Sequence, residues 1–177
     1  GNVDIDFVTD KILNNTVFPE STDTDEANGL WKTLDIPEPV YPKGSAHLYQ
    51  CFGEDCPQWA MDISNKFDWV QHKQITLNKL TTGTFIPPHV DSMYRLKQYL
   101  KDNQDTLENL ELVRINIFLQ DHQLGHWLNI DDESFDNYNK GDYTFIFPGV
   151  IHTVANLGYI PRYTMQITGL IDYRLKI

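Results

Sequence analysis

Hydrophobic and polar residues alternate along much of the second half of the chain. Alternation with a period of two is typical of strands that bury one face, especially where Gly, Asn and Pro turns separate the runs. The alternating or β-rich runs are residues 74–80, 84–91, 113–120, 127–130, 142–147 and 162–170. They follow a part of the chain with helical spacing, so the pattern predicts a β-sandwich or barrel preceded by a helical N-terminal part.

The helical spacing appears in two segments. Apolar residues within 56–69 recur every three to four positions and predict a short helix. Residues 92–112 carry leucines among charged side chains and predict a helical insertion between strands. Residues 15–45 are first acidic and then rich in proline, which predicts an irregular arm along the surface.

Composition narrows the class of protein. The 177 residues suit a single domain, and 14 Lys and Arg against 25 Asp and Glu give a net charge of −11. That charge opposes phosphate backbones, so we expect no nucleic-acid partner. The apolar runs are too short to span a membrane and no leader pattern opens the chain, so we expect a cytoplasmic protein. Cys51 and Cys56 are either two free buried thiols or one short disulfide.

His89 and Asp91 stand two positions apart in a predicted strand. Their side chains therefore point to one face and offer an imidazole nitrogen and a carboxylate to a common point. These are two of the three ligands in the 2-His-1-carboxylate triad of non-haem iron(II) oxygenases. His152 follows the apolar residues 145–149, at the predicted end of a strand, and is the candidate third ligand. Alone, the pair also suits a polar surface turn, and a histidine at a strand end is often structural.

Arg162 and Thr164 share one face of the last predicted strand. A hairpin after His152 would bring Arg162 back beside the strand that carries His152. The guanidinium fork binds carboxylates through two hydrogen bonds and keeps its charge. For this strand alone, a solvated polar face is an equally good interpretation.

Taken together, His-x-Asp, a distal His and Arg-x-Thr resemble the layout of the Fe(II)/2-oxoglutarate-dependent oxygenases over residues 75–170. The resemblance implies a mainly β fold, a double-stranded β-helix of the jelly-roll or cupin type, with the helical and irregular N-terminal segments packed outside. It implies Fe(II) held by His89, Asp91 and His152. It also implies O2 and 2-oxoglutarate as co-substrates, with Arg162 and Thr164 on the distal carboxylate of 2-oxoglutarate.

A closer resemblance is to the aspartyl/asparaginyl β-hydroxylase-like branch, with the prolyl hydroxylases second. Residues 82–89, TGTFIPPH, are similar to its P-G-T-x-x-x-P-H element. Arg114 and Asn116 stand where that branch has an Arg-x-His that contacts the co-substrate. The chain departs from the branch in three ways: Asp91 is present where animal members lack the carboxylate, Asn116 replaces the histidine, and an insertion lies within 94–112.

Residues around this layout have more than one interpretation. Arg114 and Asn116 alternate with aliphatic neighbours, so they face either solvent or, if helices cover the aliphatic side, the inside of the barrel. Asn78 is a candidate to line the mouth of the pocket, and hence to contact the cofactor. His122 and His126 flank a predicted turn, where we expect a solvated or supporting role.

The sequence thus predicts one oxygenase domain over residues 1–177, with an N-terminal arm and helix at 1–72 and a β-helix core at 73–172. The expected reaction is hydroxylation of an unactivated C–H bond in an amino-acid, peptidyl Asp, Asn or Pro, or small-metabolite substrate. The alternatives are a non-catalytic cupin-like binding protein and a nucleic-acid demethylase of the same superfamily. The net charge and the single arginine in residues 162–169 disfavour the demethylase.

Overall fold

The computed structural model describes residues 1–17, 46–102 and 110–172, together with residue 174. Three helices lie in these ranges: α1 (Asp10–Asn15), α2 (Gln58–Asn65) and α3 (Tyr94–Asp102). None of the helices in the described ranges is long and apolar enough to cross a membrane. Most of the predicted arm, and residues 103–109 of the predicted insertion, lie outside the described residues.

The strands form two antiparallel sheets. Within the described residues they are β1 (Ala46–Phe52), β2 (Gln71–Leu80), β3 (Thr84–His89), β4 (Leu110–Phe118), β5 (His126–Ile130), β6 (Glu133–Ser134), β7 (Tyr143–Ile146), β8 (His152–Asn156) and β9 (Arg162–Asp172). One sheet has the order β1-β2-β9-β4-β7 and the other β3-β8-β5-β6. Because the chain moves between the sheets and β9 returns beside β2, the predicted double-stranded β-helix is confirmed.

The five-stranded sheet is apolar on its outer face. Ile115 and Ile117 of β4 and Met165 of β9 share one buried cluster with Leu13 of α1 and Ile63 of α2. The alternation of β4 and β9 places these side chains on one face, and the helices cover it. The helical N-terminal segment therefore packs outside the barrel, as predicted.

The inner face of the same sheet is polar in its middle. Asn78, Arg114, Asn116, Thr164 and Thr168 are all buried there, although each has a polar or charged side chain. Strand pairing aligns them across the sheet, with Asn78 opposite Thr164 and Arg114 opposite Thr168. Buried polar groups require partners, either from the protein or from a ligand.

Three details differ from the sequence-based picture. The predicted hairpin is wrong, because β8 and β9 belong to different sheets and residues 157–161 cross from one to the other. His152 opens β8 rather than closing the preceding apolar strand. Residues 46–52, inside the range predicted as arm and helix, form β1 at the edge of the five-stranded sheet. Of the two alternatives for Cys51 and Cys56, the structure has the disulfide.

Candidate metal centre

The end of β3 and the start of β8 bring two histidines together. His89 and His152 are direct partners across these strands, and their ring centres lie 4.2 Å apart. Asp91 follows just beyond β3, with Oδ2 3.3 Å from His152 Nε2 and Oδ1 3.9 Å from His89 Nε2. One ligand atom from each of the three residues lies within 4.8 Å of the others. The structure thus brings together the three predicted ligands, and they can hold a metal ion.

The backbone orients both imidazoles. Nδ1 of His89 lies 2.9 Å from the Pro87 carbonyl oxygen, and Nδ1 of His152 lies 3.2 Å from the Val150 carbonyl oxygen. A carbonyl only accepts, so each Nδ1 carries the proton and each Nε2 keeps its lone pair. The pairing of β3 with β8 shifts between Ile86 and His89, where two prolines interrupt the ladder. This local geometry presents both Nε2 atoms as ligands, the usual support for metal-binding histidines.

The protonation states of His89 and Asp91 also favour the binding of a metal cation. Burial, with repulsion from His152 and Arg114, lowers the pKa of His89 to about 4, although Asp91 and the Pro87 carbonyl oppose the shift. Burial raises the pKa of Asp91, but Arg114 and the two histidines more than offset it and hold that pKa below its usual range. A neutral imidazole and an ionised carboxylate are the forms that bind metals. Two nitrogens and one carboxylate fit Fe(II) and equally admit other first-row divalent ions.

Arg162 lies inside the barrel, and no described residue provides it with an anionic partner. Its side chain is 2% exposed, and its Nε and Nη2 atoms have no hydrogen-bond partner among the described residues. The guanidinium carbon is 5.7 Å from the centre of the Phe118 ring. Burial lowers the pKa of Arg162 while Tyr138 opposes the shift, and an arginine remains charged under these conditions. A buried cation of this kind calls for an anion, which the described residues do not supply.

The surroundings of Arg162 include groups that sequence reasoning missed. Tyr138 received no role, and His126 was expected in a solvated or supporting position. Both are buried, and His126 Nδ1 lacks a hydrogen-bond partner among the described residues. Tyr138 Oη interacts with the Arg162 guanidinium but does not meet the geometry of a well-formed hydrogen bond. The positive charge of Arg162 acts on both groups and favours a lower pKa for each of them. Neither stands in a motif, so no local signal in the sequence could have found them.

Thr164 and Asn78 meet on the inner face next to Arg162. Asn78 Nδ2 donates to Thr164 Oγ1 over 3.3 Å, and both residues are buried. The Thr164 hydroxyl accepts this bond, which leaves its own proton available to an acceptor. The structure therefore places both candidate residues inside the barrel.

Arg114 and Asn116 lie inside the barrel, which is the second of the two alternatives derived from the sequence. Arg114 is 8% exposed, its Nη1 forms an ion pair with Asp91 Oδ2, and its Nε donates to Thr168 Oγ1 over 2.9 Å. Asn116 Nδ2 has no partner among the described residues. Arg114 is thus attached to the carboxylate of the metal site, a contact that the sequence did not predict.

Comparison with known proteins finds solved structures that are distantly similar to this chain. No family model and no curated protein sequence matches the chain. A cupin protein from Bacteroides fragilis is 16% identical, with 56% of this chain and 67% of that chain covered and a TM-score of 0.38. A predicted oxalate decarboxylase from Thermotoga maritima is 14% identical, with coverage of 73% and 84% and a TM-score of 0.43. KdgF from Halomonas sp. is 9% identical, with coverage of 72% and 80% and a TM-score of 0.42. Such values carry no conclusion about activity, and the fold assignment rests on the strand order.

Proposed function

We propose that this protein is an Fe(II)- and 2-oxoglutarate-dependent dioxygenase. Its substrate would be an amino acid, a peptidyl Asp, Asn or Pro, or a small metabolite, hydroxylated at an unactivated C–H bond. The observation that carries the proposal is the buried guanidinium of Arg162, which has no anionic partner among the described residues and lies in the same barrel as His89, Asp91 and His152. A metal-binding triad alone would serve many reactions, but a buried cation in the same barrel, without a described counter-charge, favours an anionic ligand.

The triad would hold the metal on one side only. Two histidine nitrogens and one carboxylate oxygen occupy three positions of a six-coordinate ion and leave three open. When bound, Fe(II) with 2-oxoglutarate and O2 supplies an oxidative decarboxylation that yields succinate, carbon dioxide and a hydroxylated substrate. The protein contributes the binding and orientation of these partners, which the barrel provides through rigid strands.

Arg162 would bind the distal carboxylate of 2-oxoglutarate. Two of its nitrogens are free to donate, which suits the two oxygens of a carboxylate. Thr164 would add its hydroxyl proton, because Asn78 already donates to the Thr164 oxygen. The net charge of −11 does not prevent the binding of a dianion, since surface charges are screened within about 8–10 Å whereas Arg162 acts inside the barrel.

The rest of the inner face would line the pocket. Thr76 Oγ1 and Asn116 Nδ2 are buried and have no partner among the described residues, so both remain available to a polar ligand. Arg114 adds positive charge beside the triad. We place Arg114, Asn116 and Asn78 along the co-substrate pocket on these grounds. The partner is then a small molecule or a peptide rather than nucleic acid or membrane, and the cytoplasmic location stays a prediction.

One observation favours a second candidate, a non-catalytic cupin-like binding protein. Asp91 already has a counter-charge in Arg114, so the site is electrically balanced without a metal. An organic anion bound at Arg162 would then be the only ligand. The two candidates differ in whether the protein binds a divalent ion through its triad.

The proposal is tested by turnover of 2-oxoglutarate to succinate. Purified protein is supplied with Fe(II), ascorbate and O2, and succinate is measured against a panel of amino acids, Asp-, Asn- and Pro-containing peptides and small acids. We expect succinate that depends on Fe(II) and rises with one substrate class, and no such production by the His89→Ala variant. Metal-loaded protein that forms no succinate above the iron-free control with any substrate would contradict the proposed activity, and a protein that also binds no divalent ion through its triad would favour the binding protein.

A further inference from the structure

We infer that Arg114 is a positioning residue that holds one oxygen of Asp91, so that only the other oxygen is presented to the metal. The inference rests on the metal site within the proposed function but not on the oxidation reaction. It assigns Arg114 a role toward a ligand of the metal, beyond any contact with the co-substrate.

Arg114 is fixed at two points. Its Nη1 forms the ion pair with Asp91 Oδ2, and its Nε donates to Thr168 Oγ1 over 2.9 Å. Thr168 is the direct cross-strand partner of Arg114, so β9 anchors the guanidinium that β4 supplies. Thr168 has no exposed surface and Arg114 has little, so their contact is shielded from bulk water, whereas the Asp91 side chain is 17% exposed.

The backbone of Asp91 receives no support from the strand ladder. β3 ends at His89, so the backbone of Asp91 lies beyond the strand ladder. Oδ2 is the oxygen that both Arg114 and His152 approach, whereas Oδ1 lies toward His89. The ion pair with Arg114 uses Oδ2, which leaves Oδ1 as the free donor. Among the charged groups that contact the carboxylate, Arg114 is therefore the one that fixes its orientation, with His152 beside the same oxygen.

The number of carboxylate oxygens on the metal decides how many positions stay open. Two histidines and one oxygen leave three positions of six, whereas a two-oxygen carboxylate would leave two. A co-substrate that chelates the metal through two atoms, together with O2, needs three coordination positions. By retaining Oδ2, Arg114 would keep Asp91 a one-oxygen ligand and preserve the third position.

A purely co-substrate role for Arg114 makes a different prediction. Nη1 and Nε are already engaged by the protein, so only part of the guanidinium is left for a ligand. If contact with 2-oxoglutarate were the sole role of Arg114, its loss would weaken the binding of 2-oxoglutarate and leave the binding of the metal unchanged. If Arg114 holds Asp91, metal binding changes even when no co-substrate is present.

The experiment titrates the metal-free full chain with Co(II), without 2-oxoglutarate, and records affinity and the visible spectrum. We expect Arg114→Met to weaken Co(II) binding by about 10–100-fold, the usual effect of losing a partner of a metal ligand. We also expect its Co(II) spectrum to shift, because the carboxylate can now offer both oxygens. Arg114→Lys should restore part of the affinity, and Thr168→Val should give a smaller shift in the same direction.

Arg174→Met is the matched control, because Arg174 pairs with Asp172 on the surface and its side chain is 67% exposed. It should bind Co(II) like the wild type. Wild-type affinity and spectrum in a folded Arg114→Met variant would overturn the inference. If that variant does not fold, wild-type Co(II) affinity and spectrum in Thr168→Val would overturn the inference instead. A wild-type protein that binds no Co(II) contradicts both the role of Arg114 and the proposed function. Co(II) binding that changes in the variants as expected, without succinate production, contradicts only the proposed function.

Discussion

The barrel contains two buried arginines in opposite situations. Arg114 is 8% exposed and has an acidic partner from its own chain in Asp91. Arg162 is 2% exposed, and two of its nitrogens have no acceptor among the described residues. A buried charge without a partner is strongly unfavourable, whereas a paired one is roughly balanced. The difference indicates that Arg114 completes a structure within the chain, whereas no described residue neutralises Arg162, which supports the proposal that Arg162 binds an anion from solution.

The surroundings reduce the penalty at Arg162 without removing it. Phe118 lies 5.7 Å from the guanidinium, a distance at which an aromatic ring attracts a cation. Tyr138 adds a favourable electrostatic contribution from its phenol oxygen. Neither group supplies a negative charge at neutral pH. The contrast with Arg114 therefore predicts opposite effects on stability when each arginine is removed.

The largest effect is expected from Arg114→Met in the metal-free protein. The change leaves the carboxylate of Asp91, which is 17% exposed, without its counter-charge, and this should lower the free energy of unfolding by about 3 kcal/mol, the low end of the cost of breaking a buried ion pair. Urea denaturation measures this, with Arg174→Met as the control because its pair with Asp172 is exposed. No measurable change is expected for the control. Equal effects of the two substitutions would show that the buried pair is no more important than the surface one.

Removing Arg162 should have the opposite sign. Arg162→Met replaces an unpaired buried cation by an apolar side chain of similar length, so it should raise the free energy of unfolding of the ligand-free protein. Replacing buried charges by apolar groups is often stabilising by about 1–4 kcal/mol. The same urea series measures it. A clear loss of stability would mean that Arg162 has a partner within the chain, and the contrast between the two arginines would fail.

Acid should lower the free energy of unfolding through the protonation of His89. Burial is the main cause that lowers the pKa of His89 to about 4, whereas the unfolded value is near 6.5. The unfolded chain therefore takes up this proton first, and the free energy of unfolding falls as pH drops from about 6.5 to 4, by up to about 3 kcal/mol. Urea midpoints across this range, in wild type and His89→Gln, isolate the contribution. Equal pH slopes in the two proteins would contradict it.

Much of the fold and of the candidate site follows from alternation and local spacing. The pattern of β4 and β9 separates their apolar and polar faces, and His-x-Asp placed two candidate ligands on a common side. Alternation does not tell which sheet a strand joins, so the hairpin predicted between His152 and Arg162 was wrong. The contact of Arg114 with Asp91, like the position of Tyr138 near Arg162, depends on tertiary packing between segments far apart in sequence and leaves no local pattern.

The central claim is tested most directly by the binding of 2-oxoglutarate to metal-loaded protein. Calorimetric titration is performed with Mn(II)-loaded wild type, with Arg162→Met and with Arg174→Met as the surface control. We predict one 2-oxoglutarate per wild-type or control chain, and a loss of about 2–5 kcal/mol of binding free energy in Arg162→Met, as expected for a buried charge-assisted pair. Absence of binding to the wild type, or equal affinity in Arg162→Met, would contradict the claim that Arg162 awaits this anion.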